Sequence, residues 1–159
     1  MKINVATLMC VAVFLGVAVL VYNHIKAVRS ENAIIGFYTQ LTAIQKEFKP
    51  KFEAEMGQSL TSSDPNLYRS FYLRLNSMNV SECPPDFIQN WAECLKVERV
   101  IADDYAADRG WVNFLVGIAE LKDLKASDWE HASKLKNARE SAYTELKASA
   151  IRHGIKFSN

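Results

Sequence analysis

From Ile3 to Tyr22 the chain reads INVATLMCVAVFLGVAVLVY, and no charged side chain stands between Lys2 and Lys26. As a helix this run covers about 30 Å, the thickness of a bilayer's hydrocarbon core. A helix on the outside of a water-soluble domain needs a polar face, and this one has none. The run therefore predicts a single-pass transmembrane helix over residues 4–22, with the membrane as its partner and Tyr22 at an interface. The competing expectation is a cleaved secretory signal, with Lys2 as its basic end and Gly16 and Ala18 as the small residues before the cut. Val19, Leu20 and Val21 carry the apolar run past that point, which favours an uncleaved anchor.

Orientation rests on less. Lys2 and the amino group flank one end and Lys26 and Arg29 the other, so the charge rule nearly ties. A very short N-terminal tail before one apolar segment is the layout of a signal anchor. It sets the N-terminus inside and the body on the exported side; a cleaved signal would instead give a secreted or periplasmic protein.

The chain divides into residues 1–29, anchor and juxtamembrane flank, and residues 30–159, a helical extracytoplasmic domain. Of 159 residues 49% are hydrophobic, and only 6 are Gly and 4 Pro, which excludes a disordered or low-complexity chain. Lys2, Lys26 and Arg29 are the only charges before residue 30, so of 19 basic and 18 acidic residues the body keeps 16 and 18. That balance offers no cationic surplus for a nucleic-acid backbone, and no nucleic-acid partner is expected.

Ile34, Phe37, Tyr38, Leu41, Ile44 and Phe48 recur at helical spacing, predicting a helix over 30–49 that runs on from the anchor and is kinked or ended by Pro50. Gly57 to Ser63 reads as a polar loop. Asp64 and Pro65 look like a cap and first turn for a helix burying Leu67, Tyr68, Phe71, Leu75 and Met78. A further helix runs from Pro84 to Asp108. The apolar segment Trp111 to Leu121 reads as a central buried helix in preference to a strand, and Ser127 with Glu130 forms a capping box before a stripe of Leu135, Ala138, Ala142, Leu146 and Ala150. The expected fold is all-α, a four- or five-helix bundle behind one transmembrane helix.

Residues 82–108 are mostly acidic and residues 121–159 mostly basic, so these two helices are expected to dock on each other. A phosphate loop, nucleophile elbow, zinc motif and dinucleotide fingerprint are all missing from the sequence, which lowers the case for an enzyme and leaves no cofactor or metal to expect. Cys83 and Cys94 could pair in an exported domain. One continuous helix between them would hold their α-carbons roughly 16 Å apart, too far for a bridge. Asn79-Val80-Ser81 is a glycosylation sequon.

Glu98 breaks the local pattern. It falls in the middle of the stripe formed by Phe87, Trp91, Cys94, Ile101 and Tyr105. A carboxylate there needs a Lys or Arg from another helix, or it serves a ligand or partner, so Trp91, Glu98 and Tyr105 are the candidate partner or ligand residues. The sequence as a whole points to a membrane-tethered, non-enzymatic helical interaction module: a subunit, inhibitor or assembly factor with a protein partner. A helical ligand-binding or sensory domain is the alternative.

Overall fold

A computed structural model describes the backbone of residues 5–56, 64, 66–107 and 126–157, and side chains within 14–54, 64, 66–104 and 130–157. The described residues form four helices and no strand: α1 Val5–Met56, α2 Leu67–Asn76, α3 Pro85–Ala107 and α4 Ala126–Arg152. The expected loop at Gly57 to Ser63 and the expected helix at Trp111 to Leu121 lie outside the described residues.

α1 runs for 52 residues, about 78 Å at the helical rise. It does not end at Pro50, which lies inside it on the exposed side. Proline removes one backbone bond and costs about 3 kcal/mol in a helix interior. Phe48 and Phe52 flank it on the opposite side, and their rings meet Phe71 of α2 at 5.3 and 5.7 Å, so packing holds the helix together across the lost bond.

Every described α1 side chain from Phe14 to Arg29 is exposed, and burial begins at Ser30. Beyond that point Ile34, Phe37, Leu41, Ile44 and Phe48 enter the core. Among the described residues no helix is long and apolar enough to cross a membrane. The described part of the apolar run is Phe14 to Tyr22; the side chains of residues 4–13, the other part of the expected span, lie outside it.

α2 buries Leu67, Tyr68, Phe71 and Leu75, and Met78 follows them into the core just past its end. Asp64 sits one turn ahead of this helix instead of capping it directly. Its carboxylate accepts the Asn66 amide at 2.9 Å, and its carbonyl accepts that of Leu67 at 3.2 Å, so a tight turn leads into a helix whose cap residue is Asn66.

The chain runs up, down, up and down. Phe52 meets Tyr68 while Glu47 meets Arg74, so α1 and α2 are antiparallel. Asp86 meets His153 while Glu98 meets Arg139, so α3 and α4 are antiparallel too, along the most extensive contact in the bundle. α1 reaches α3 through Phe37, whose ring stands edge-on to Phe87 at 5.0 Å and to Trp91 at 4.9 Å.

α4 begins at Ala126, one residue before the expected cap at Ser127, and Glu130 pairs with Lys134 at 2.7 Å on the surface. Of the expected stripe Leu146 and Ala150 are buried and Leu135 and Ala142 pack against the core, but the buried face is wider than expected. Ala138 is exposed, whereas Ala132, Leu146, Ser149 and Ala150 are buried, and Arg139 and Tyr143 turn partly inward. The helix ends on Gly154 at φ 93°, where the Ile155 amide donates to the Ala150 carbonyl at 3.1 Å and the Gly154 amide to that of Ile151 at 3.0 Å.

Candidate functional site

Glu98 is fully buried and collects donors from two helices. Arg139 Nε donates to its Oε1 at 2.8 Å and the Tyr143 hydroxyl to the same oxygen at 3.0 Å; the Tyr68 hydroxyl donates to Oε2 at 2.7 Å. The cation the sequence called for is therefore Arg139 of α4. Burial first, and the neighbouring carboxylate second, hold both tyrosine hydroxyls far above their ordinary titration range, so both stay protonated donors. Among the described residues no buried side-chain nitrogen or oxygen lacks a hydrogen-bond partner. Chemically the cluster is a polar clasp in which one buried carboxylate accepts three donors.

Trp91 is buried beside this clasp, in contact with Phe37. Tyr105 belongs to α3 by its backbone, and its side chain lies outside the described residues. Cys83 and Cys94 are both buried free thiols. Burial, then the Glu98 carboxylate, pushes the Cys94 thiol up to about 12, and burial, then Glu82, raises that of Cys83, so neither is an activated nucleophile.

A second polar cluster joins the start of α3 to the end of α4. The Ser149 hydroxyl donates to Asp86 Oδ2 at 2.6 Å, Arg152 lies 3.2 Å from the same oxygen, and His153 Nε2 lies 2.8 Å from Oδ1. The Ser149 hydrogen bond above all, then those of His153 and Arg152, outweighs burial and holds the Asp86 carboxyl well below the usual range. At the other end of the same interface Asp104 lies 3.0 Å from His131. α3 and α4 thus dock on each other along their length, with the carboxylates on α3 and their partners on α4 and the turn after it. The two histidines are spent on carboxylates, and among the described residues no group of His, Cys, Asp and Glu is placed to hold a metal ion.

A shallow cleft of about 550 Å³ lies between α1 and the chain end, along Tyr38, Thr42, Lys46 and Phe157, and two connected clefts lie where α1 leaves the bundle. A cleft of about 670 Å³ runs between α1 and the α2–α3 loop, lined by Arg29, Asn32, Gly36, Gln40, Asn79 and Glu82. It shares Arg29, Glu82 and Cys83 with a second cleft of about 280 Å³, which descends along Tyr22, Ile25 and Lys26 beneath Pro84 and Pro85. Together they make one furrow. Asn79 caps its own loop beside it, accepting the Ser81 amide at 3.0 Å and the Ser81 hydroxyl at 2.8 Å.

Sequence reasoning missed the furrow because its walls come from separate segments. Only the run of spacings Tyr22, Ile25, Lys26, Arg29, Asn32, Gly36, which keeps to one helix face, could have hinted at it. No family model matches the chain, and neither a curated protein nor a solved structure does.

Proposed function

We propose that the protein is a membrane-tethered, non-enzymatic helical interaction module, anchored by residues 4–22 with its bundle on the exported side. One observation carries the anchor: α1 leaves the bundle with Phe14 80%, Leu20 70% and Tyr22 67% exposed, large apolar surfaces that water alone would not tolerate side by side. A bilayer removes that cost at about 25 cal/mol per Å² of apolar surface covered.

The non-enzymatic reading is supported by the clasp. Its carboxylate is fully buried and held by three donors, so recognition falls to the exterior of the bundle and to the ground next to the anchor. The same argument moves the partner surface away from Trp91 and Glu98.

Carbonate washing of membranes tests the anchor, and the full-length chain should remain in the pellet. A soluble species trimmed near Val19 would replace the anchor with a cleaved signal. Topology follows from Ser70→Cys, an exposed position on α2. A membrane-impermeant maleimide should label it in intact cells, and labelling only after permeabilisation would reverse the orientation.

A further inference from the structure

The furrow beside the anchor changes character along its length in a definite order. Its lower end is apolar, with Tyr22 and Ile25 on α1 facing Pro84 and Pro85. Lys26 follows about 6 Å and Arg29 about 10 Å along the helix from Tyr22, across the furrow from Glu82 of the α2–α3 loop. Beyond them the walls carry uncharged amides, Asn32, Gln40 and Asn79. Lys26, Arg29 and Glu82 are exposed, and none has an ion-pair partner among the described residues. Asp86, four residues after Glu82, takes three partners, so unpaired charge is not the rule at this end of the bundle.

We propose that this furrow binds one phospholipid of the adjoining leaflet, and that the lipid carries a primary ammonium headgroup, as phosphatidylethanolamine does. The inference rests on the anchor reading, which puts Tyr22 at the hydrocarbon boundary. Acyl chains lie along the exposed apolar face of α1. The phosphate sits between Lys26 and Arg29, and the ammonium donates to the Glu82 carboxylate. Two cations on the helix with one anion across the furrow from them match a zwitterion whose phosphate rests against α1 and whose ammonium reaches over to the loop. A quaternary ammonium has no proton to give Glu82, so phosphatidylcholine fits the same space and loses that bond.

Native mass spectrometry of the full-length protein in mild detergent, with phosphatidylethanolamine and phosphatidylcholine added at equal concentration, tests this directly. A charge-assisted hydrogen bond is equivalent to about a tenfold preference for phosphatidylethanolamine. Glu82→Gln should remove that preference while some lipid is still retained, and Lys26→Gln combined with Arg29→Gln should abolish retention of both lipids. All three side chains are exposed, so circular dichroism of the variants should match the parent.

Equal retention of the two lipids by the parent, or retention unchanged in the charge variants, overturns the proposal. So does equal retention of glycerophosphoethanolamine, which would assign the furrow to a free headgroup. Release of the chain from vesicles of these lipids by carbonate overturns the anchor reading and this inference with it. A chain that stays in the vesicles yet shows no lipid preference overturns this inference alone.

Discussion

Removing Glu98 leaves Arg139 charged in the interior and strands the Tyr68 and Tyr143 hydroxyls. Glu98→Ala should therefore cost about 3 to 5 kcal/mol, the range for breaking one side of a buried pair. Glu98→Gln should cost less, because an amide oxygen still accepts. Thermal melts of the two variants check the order, and an unshifted Glu98→Ala would mean the clasp stabilises nothing. Asp86 makes a separate prediction about acid. Its native value is depressed, so it stabilises the fold above its unfolded value, about 3.9, and that contribution is lost as pH falls below it toward the native value. The stability gap between the parent and Asp86→Asn should be constant near neutrality and narrow progressively below about pH 4. A gap as wide at pH 2 as at pH 7 would contradict this. Of these residues only Glu98 was legible in the sequence, as an acid on an apolar stripe. Arg139 was hidden because the apolar stripe Leu135, Ala142, Leu146, which does face the core, leaves its edge open, and apolarity assigns that edge to Ala138 where the structure puts Arg139 and Tyr143.

Helix ends and interruptions decide more at the next scale than helix interiors do. Gly154 closes α4 in a left-handed conformation that an L side chain adopts at a cost of about 1 kcal/mol. Gly154→Ala should lower stability by that amount. In the middle of α1, Gly36 has nothing within 4 Å of where a Cβ would be, so Gly36→Ala should stabilise by about the same amount through helix propensity. Chemical denaturation of the pair should give shifts of opposite sign; shifts of the same sign would defeat the argument from backbone geometry. The helices of the described residues were readable from periodicity alone. Their limits were not: Pro50 argued locally for a stop that Phe48 and Phe52 override from the other side, and the turn at Asp64 looked like the cap it precedes.

At the scale of the molecule, the acidic α3 and the nearly balanced α4 with the turn after it hold each other at both ends and in the middle, through Asp86, Glu98 and Asp104. That docking was visible as a charge asymmetry in the sequence, whereas the furrow, built from α1 and a loop some fifty residues later, was not. Since the described side chains before Ser30 are exposed, a chain cut to residues 30–157 should keep its helical spectrum and nearly its melting temperature. A spectrum of unfolded chain would show that the bundle borrows stability from the segment outside it. The uninterrupted α1 has one more consequence, which is angular. With α1 continuous from Val5 past Ile34 and Pro50 lying beyond that point, the number of residues between the outer segment and Ile34 fixes the compass bearing of everything packed on Phe37. One alanine inserted after Ala27 would swing the whole bundle by about 100° about the helix axis and raise it about 1.5 Å, while four would return it almost to its first heading one turn higher. Any neighbour that reads a side of this molecule should tolerate the second insertion better than the first.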